Sequence, residues 1–94
     1  MQSNQVEFEF DAVKSKANEA KHGLDFVTAQ ALWADAGLVI LPSRYADEPR
    51  YLAIGRIGQQ HWTAIFTERG NTVRLINVRR ARDNEKRLYE QNES

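Results

Sequence analysis

The sequence contains no cysteine, only two prolines and five glycines among its 94 residues. Without cysteine the chain can form neither a disulfide framework nor a thiolate metal site, and its two histidines alone make a poor zinc site. We therefore expect any catalysis by this protein to proceed without a metal ion or another cofactor. The two prolines, Pro42 and Pro49, bracket one central loop, and no repeat or low-complexity linker divides the chain.

Long hydrophobic runs are also missing. No unbroken apolar run exceeds the four residues of Leu38 to Leu41, whereas a membrane span needs about 20. The first residues, MQSNQVEFEFD, include acidic groups where a secretion signal has basic and then apolar ones. The sequence thus predicts a cytoplasmic protein that does not contact a membrane.

What is present is an ordinary globular composition, with 41% hydrophobic, 28% charged and 10% aromatic residues. This mixture favours a folded chain over a disordered one. A chain of this length has room for one hydrophobic core, so we expect a single domain over residues 1–94.

The charges balance at 13 basic and 13 acidic residues, but they are distributed unevenly. Residues 1–48 carry four basic and eight acidic groups, and residues 49–94 carry nine and five. The basic half is nearly all arginine, whose planar fork matches pairs of phosphate oxygens. This asymmetry indicates contact with nucleic acid or an acidic partner, although a solvated surface of weak ion pairs would show the same balance.

The N-terminal third predicts a strand followed by two helices. Alternation from Val6 to Phe10 is typical of a half-buried strand. Asp11 can cap a helix from about Ala12 to His22, and a second helix of about nine residues starts at Asp25. The first helix carries an apolar stripe, which we expect to face the core, of Val13, Ala17, Ala20 and Leu24. Its opposite face is polar and consists of Lys14, Asn18 and His22.

The remainder predicts an antiparallel meander and a last helix. Arg50 to Ile57, Gln60 to Thr67 and Thr72 to Arg80 have strand character, and Leu38 to Leu41 could add a fourth strand. The helix from Asp83 has few large apolar residues, so it must dock or fray. We therefore predict an α+β domain with two N-terminal helices on an antiparallel sheet of three to four strands and a C-terminal helix.

Several separated motifs give the chain a family resemblance. They are Phe10-Asp11, Asn18 with Lys21-His22-Gly23, Arg50 with Gly55, Arg69, and the segment from Arg74 through Glu85 to Tyr89. Over about residues 8 to 90 the chain resembles the BrnT family of bacterial type II toxins, ribonucleases with a RelE-like fold. The resemblance implies an RNA-cleaving toxin held inactive by a BrnA-type antitoxin. It also implies that operator DNA is contacted only through the DNA-binding part of that antitoxin.

Cleaving RNA without a metal requires a base for the ribose 2′-OH, cations for the charge on phosphorus, and an acid for the leaving 5′-oxygen. If Ile76 and Val78 face the helices, Asn77 and Arg79 face the open side of the sheet. Arg79 is then the better phosphate clamp, and Arg80 would sit at the margin as a second candidate. Either arginine could instead be a surface cation on a sheet edge.

Further candidates lie at the turn that follows the predicted strand Gln60 to Thr67. Glu68 is the most plausible base, because it is the only acid among the strand-end arginines, although a salt bridge to Arg69 or Arg74 is the more ordinary role. Arg69 is predicted to bind a phosphate, and Arg74 to contact the RNA.

His22 is the natural proton donor, with Lys21 beside it as an RNA contact. Both residues could instead serve the negative end of their helix. Tyr89 could bind RNA or anchor the last helix. His61 is expected to be structural, and we place three aromatic residues in the core: Trp33, Trp62 and Phe66.

The main hypothesis is an endoribonuclease whose arginines converge on one exposed concavity on the open face of the sheet. The alternative is a non-catalytic module in which the same arginines hold RNA or an acidic antitoxin segment. Direct operator binding is disfavoured, because the sequence shows no helix-turn-helix and no basic amphipathic helix.

Overall fold

The computed structural model describes residues 6–43 and 49–93 of the chain. Most of the loop expected between Pro42 and Pro49 lies outside the described residues. The elements are β1 (Glu7–Glu9), α1 (Ala12–His22), α2 (Phe26–Ala29) continued by a 3-10 turn (Gln30–Ala34), β2 (Val39–Ser43), β3 (Arg50–Ile57), β4 (Gln60–Arg69), β5 (Thr72–Arg80) and α3 (Asp83–Glu93).

The α+β class is confirmed, but the predicted strand count is wrong. The sheet has five strands in the order β1-β5-β4-β3-β2, and β1 pairs with β5 in parallel while the other pairs are antiparallel. Two helices follow β1 in the chain, so β1 has no hairpin partner, and it docks on the free edge of β5. Only three residues pair there, from Glu7 opposite Thr72 to Glu9 opposite Arg74.

The helices and the 3-10 turn cover one face of the sheet and form the core with it. Phe26 and Leu32 are buried there, as are Trp62 and Phe66 from β4. The ring of Trp33 is half-buried and meets Phe66 edge to face at 5.2 Å. The predicted core placement of these aromatic residues is therefore confirmed, and burying a side chain of this size contributes about 2 to 3 kcal/mol.

Helix α1 packs against the sheet with its polar face, contrary to the expected apolar stripe. Val13 is 76% exposed, whereas Ser15 and Asn18 are buried. Of the expected stripe, only Leu24, which follows the helix, lies in the core. The Asn18 amide donates to the carbonyl of Val78 at 2.9 Å and accepts from the N–H of the same residue at 3.2 Å. Because β1 stops opposite Arg74, the remainder of β5 has no neighbouring strand on that side, and Asn18 takes its place.

A bulge interrupts the alternation of β5. Ile65 lies opposite Asn77 and Phe66 lies opposite Leu75, so Ile76 is the extra residue. The inward-facing side chains are therefore Leu75 and Val78, not Ile76 and Val78. Asn77 is still on the open side of the sheet, as predicted, and so is Arg79.

Helix α3 docks against β2 and β3, on the face opposite α1. Tyr89 is only 2% exposed, and its hydroxyl donates to Asp35 Oδ2 at 2.9 Å. The His61 ring meets the Tyr89 ring edge to face, which fits the structural role predicted for that histidine. Gly37 faces the same phenol, and a Cβ there would lie 3.1 Å from the hydroxyl oxygen. Tyr89 therefore anchors the helix rather than facing solvent, where it would be available to RNA.

Candidate functional site

The open face of the sheet carries a groove beside α3. On β4 the side chains of Trp62, Ala64 and Phe66 point into the core, so Thr63 and Ile65 point to the open face. The part of this face that α3 leaves uncovered is a concavity of about 530 Å³. Its lining residues are Ser43, Arg50, Leu52, Ile65, Ile76, Asn77, Arg79, Arg82 and Glu85. We call this concavity the arginine groove.

Arg79 is held in the groove by a two-pronged ion pair with Glu85. Arg79 Nη1 lies 2.8 Å from Glu85 Oε1, and Nη2 lies 2.9 Å from Oε2. Arg79 Nη1 also donates to the carbonyl oxygen of Arg80 at 3.3 Å. The Nε–H and one Nη2–H, which project on the same side of the guanidinium, have no partner among the described residues. The side chain is 18% exposed, so this second edge can receive an anion from the groove.

Glu85 is the residue that fixes Arg79, and it is itself held from three sides. Its Oε1 accepts hydrogen bonds from Thr63 Oγ1 at 2.9 Å and from the backbone N–H of Arg82 at 2.8 Å, besides that from Arg79. Burial works to raise the pKa of Glu85, but the bonds from Arg79, Arg82 and Thr63 outweigh it and lower the pKa to about 2. The carboxyl is therefore ionised at neutral pH.

The groove is electropositive. Three arginines line it, Arg50, Arg79 and Arg82, and Glu85 is the single carboxylate among its lining residues. Leu52, Ile65 and Ile76 form an apolar floor to which Asn77 adds an amide. Glu85 is already engaged by three residues, so the excess of arginines in the groove favours an anion. The apolar floor favours a ligand that also has apolar surface, and a nucleotide has both features.

Two further predicted arginines share the open face but lie farther along it. Strand alternation places Arg74 and Arg69 on the same side as Arg79. Arg74 Nη1 lies 3.7 Å from Glu9 Oε1 on β1, and Arg69 is exposed at the turn into β5. The register from Thr63, opposite Arg79, to Arg69 covers six residues of β4, or about 20 Å. These arginines therefore cannot all contact one phosphate, and the expected single point of convergence is not found.

Glu68 and Arg80 belong to the other side of the sheet. Alternation places Glu68 on the helix-covered side, at the end of β4 remote from Arg79. No ion pair joins Glu68 to Arg69 or Arg74 in the part of the chain that the structure describes. The guanidinium carbon of Arg80 lies 5.9 Å from the centre of the Trp62 ring, at the margin predicted for it. The geometry does not bring either residue into the arginine groove.

Lys21 and His22 line a second, smaller concavity of about 230 Å³, which we call the α1 recess. Its lining residues are Lys14, Ala17, Asn18, Lys21, His22, Phe26, Ile76 and Asn77. Ile76 and Asn77 also line the arginine groove, so the two concavities meet at the β5 bulge.

The roles of Arg82, Glu85 and Thr63 were not predicted from the sequence. A local signal existed for Glu85, because it is the third residue of α3 and its carboxylate accepts from the N–H of the residue before the helix. That is the glutamate half of a capping box. The pairing of Thr63 with Arg79 across β4 and β5 depends on strand register, for which the sequence carries no comparable local signal.

Residues 6–43 and 49–93 contain neither a cluster of possible metal ligands nor a membrane-spanning helix. No group of three or more histidine or acidic side chains comes together there in a way that could hold a metal ion. None of the helices in those ranges is long and apolar enough to cross a membrane.

The family resemblance carried by the motifs is confirmed by comparison with known protein families. Residues 10–85 match the family model for the BrnT ribonuclease toxin of type II toxin-antitoxin systems. No individual curated protein matches the chain. The class is therefore a ribonuclease toxin, for which a type II system implies an antitoxin partner. The chain belongs to the BrnT family.

Proposed function

We propose that the chain is a metal-independent endoribonuclease that cuts RNA in the arginine groove. The observation that carries the proposal is the arrangement of Arg79. One edge of its guanidinium is fixed by Glu85, and the other edge is left for a ligand in a groove shared with Arg50 and Arg82. Fixed cations of this kind stabilise the charge that develops on phosphorus without reorganising during the reaction.

The proposed reaction uses Arg79, Arg50 and Arg82 to hold the phosphate. The scissile phosphate accepts hydrogen bonds from the free edge of Arg79, while Arg50 and Arg82 neutralise the remaining charge. The ribose 2′-OH gives up its proton to a water molecule as its oxygen attacks phosphorus. The bond to the 5′-oxygen breaks, the 5′-oxygen takes up a proton, and a 2′,3′-cyclic phosphate remains. One removed donor in such a charge-stabilising site typically costs about 10²- to 10³-fold in rate.

The proton for the leaving 5′-oxygen is proposed to come from His22. It lines the recess that adjoins the groove at Asn77, whereas His61 packs against Tyr89. The catalytic roles of Glu68, Arg69 and Arg80 stay predictions. Glu68 lies on the other side of the sheet from Arg79. The Glu68→Gln variant tests directly whether Glu68 nevertheless acts as the base.

The open face of the sheet is also the surface on which we propose that the antitoxin binds. A BrnA-type antitoxin would neutralise the toxin by covering the arginine groove, since masking those cations blocks RNA. Arg74 and Arg69 extend the positive strip along the open face and would hold RNA flanking the cut. The protein would act in the cytoplasm and reach operator DNA only through the antitoxin.

A second function has one observation in its favour. The lining residues of the groove include no acid or base that exchanges a proton near neutral pH, since the pKa of Glu85 is about 2. A module that binds RNA or an acidic antitoxin segment without cutting would need no such group. An RNA sample that stays intact while bound would favour this alternative.

The test compares cleavage by groove variants with a matched control. Purified protein is incubated with total RNA in EDTA, and the products are examined for 2′,3′-cyclic phosphate ends. Arg79→Lys keeps the charge but loses the fork, so we expect cleavage to fall at least 100-fold. Arg82→Ala, whose exposed side chain has no partner among the described residues, is expected to lower it as well.

The control is Arg87→Ala, which removes an exposed arginine of α3 that does not line the groove. Its cleavage should stay within about twofold of the parent protein. Equal activity of the groove variants and this control would refute the proposed site. Activity that disappears in EDTA and returns with Mg²⁺ would refute metal independence.

A further inference from the structure

The α1 recess has the composition of an anion site. Three basic side chains line it, Lys14, Lys21 and His22, and none of its lining residues is acidic. Neither lysine forms an ion pair within the described ranges of the chain. Ala17, Phe26 and Ile76 add apolar walls, the Asn18 amide already bonds to the backbone of Leu24 and Val78, and Asn77 adds a second amide.

Helix stability does not explain all of these cations. Lys21 and His22 lie in the last turn of α1, where positive charge offsets the negative end of the helix. Lys14 lies in the first turn, where the helix dipole disfavours a cation. Lys14 and Lys21 are seven residues apart, so they share one face and are about 10 Å apart along the axis. Lys14 thus adds charge to the recess at some cost to its own helix.

The recess continues into the arginine groove. Ile76 and Asn77 line both concavities, and they sit where the bulge interrupts β5. Strand β1 ends before this point, so no strand stands between the two concavities. A flexible single strand lying in the groove can therefore pass over Asn77 and reach the lysines of α1.

We propose that the lysines of the α1 recess form a second phosphate-binding subsite of the toxin, which holds the RNA backbone next to the cut, on the side of the leaving 5′-oxygen that His22 protonates. This inference rests on the proposed function of the arginine groove and adds the path of the substrate. Lys14 and Lys21 contact phosphates of nucleotides flanking the cut, and they act as point charges that do not distinguish bases. The recess thereby gives long RNA an advantage over short RNA.

The test measures binding of non-cleavable 2′-O-methyl oligonucleotides of random sequence, three and twelve nucleotides long. We expect the double variant Lys14→Ala/Lys21→Ala to weaken binding of the twelve-nucleotide RNA roughly tenfold at low salt. The slope of log Kd against log salt should fall by about 1.4, because each phosphate contact contributes about 0.7 for a single strand. Binding of the trinucleotide should change less than about twofold, because the groove alone holds it.

The matched control is Lys16→Ala/Arg87→Ala, which removes the same charge from exposed positions that line neither concavity. Alanine is a good helix former, so the recess variant should keep its fold, and circular dichroism checks this. Binding of the long RNA equal to that of the control would overturn the inference. A loss of antitoxin binding with RNA binding intact would also overturn it.

The same variants separate this inference from the proposed function. If Arg79→Lys abolishes cleavage while the recess variant binds long RNA like the control, only the recess proposal fails. If Arg79→Lys cuts RNA at the parent rate, the proposed function fails, whatever the binding data show.

Discussion

At the scale of single residues, the site depends on a carboxylate that does not touch the substrate in our proposal. Glu85 joins α3 to β5 through Arg79, to β4 through Thr63 and to its own helix start through the N–H of Arg82. A buried carboxylate with several donors stabilises the fold only while it is ionised. Glu85 is therefore both a positioning residue for Arg79 and a pH-dependent contribution to stability.

We predict that Glu85→Gln lowers the free energy of unfolding by about 2 kcal/mol at pH 7, because the hydrogen bonds to the charged group are lost. The pKa of Glu85 is lowered in the folded state from 4.5 to about 2. Its stabilisation is then fully present above pH 4.5 and is lost as the pH falls toward 2. Urea unfolding should show the difference between parent and variant shrinking over that interval.

The control for this prediction is Glu90→Gln, at an exposed position of the same helix. It should change the stability by less than about 0.5 kcal/mol. A difference between the parent and Glu85→Gln that stays constant from pH 7 to pH 2.5 would show that ionisation of Glu85 does not support the fold.

Asn18 shows at the same scale why sequence periodicity misplaced a helix face. The apolar residues in and just after α1 are spaced so that they were expected to face the core together, and such a pattern is ordinarily a guide to burial. The decisive contact is with Val78, 60 residues away, on a strand edge that β1 leaves open. No local sequence pattern indicates that a side-chain amide will form hydrogen bonds to the backbone at a strand edge.

At the scale of elements, α3 is attached mainly through two residues, Glu85 in its first turn and the buried Tyr89 about one turn further on. Leu88 is 39% exposed, so the helix has little apolar surface to bury. Asp35 accepts from Tyr89 and from the backbone N–H groups of Gly37 and Arg56. The dependence of this helix on docking was predictable from its composition, but its partners were not, because they come from distant turns.

We predict that Tyr89→Phe lowers the free energy of unfolding by about 1 to 2 kcal/mol, since the hydrogen bond to the Asp35 carboxylate is lost while the ring stays in place. Amide hydrogen exchange in α3 should speed up more than exchange in β4. Tyr51→Phe is the matched control, because the Tyr51 hydroxyl makes no hydrogen bond within the described residues. Equal effects of the two variants would contradict the anchoring role of Tyr89.

At the scale of the whole molecule, five arginines of the basic half of the sequence lie on or beside the open face of the sheet, namely Arg50, Arg69, Arg74, Arg79 and Arg82. The motifs predicted the family, and the alternation of apolar residues predicted the α+β class and the outward direction of Arg79. They were not sufficient for the groove, because its walls depend on strand register, on the bulge at Ile76 and on the docking of α3. The arginines that were expected to meet at one point are instead spread along about 20 Å of the open face.

The central claim is that RNA lies in the arginine groove on the open face of the sheet. The most direct measurement is NMR titration of the uniformly labelled protein with a non-cleavable 2′-O-methyl oligonucleotide. We predict the largest amide shifts at the groove, in Leu52, Ile65, Asn77 and Arg82, with smaller ones near Lys21. Shifts confined to α2 or the 3-10 turn, with the groove amides unmoved, would contradict it.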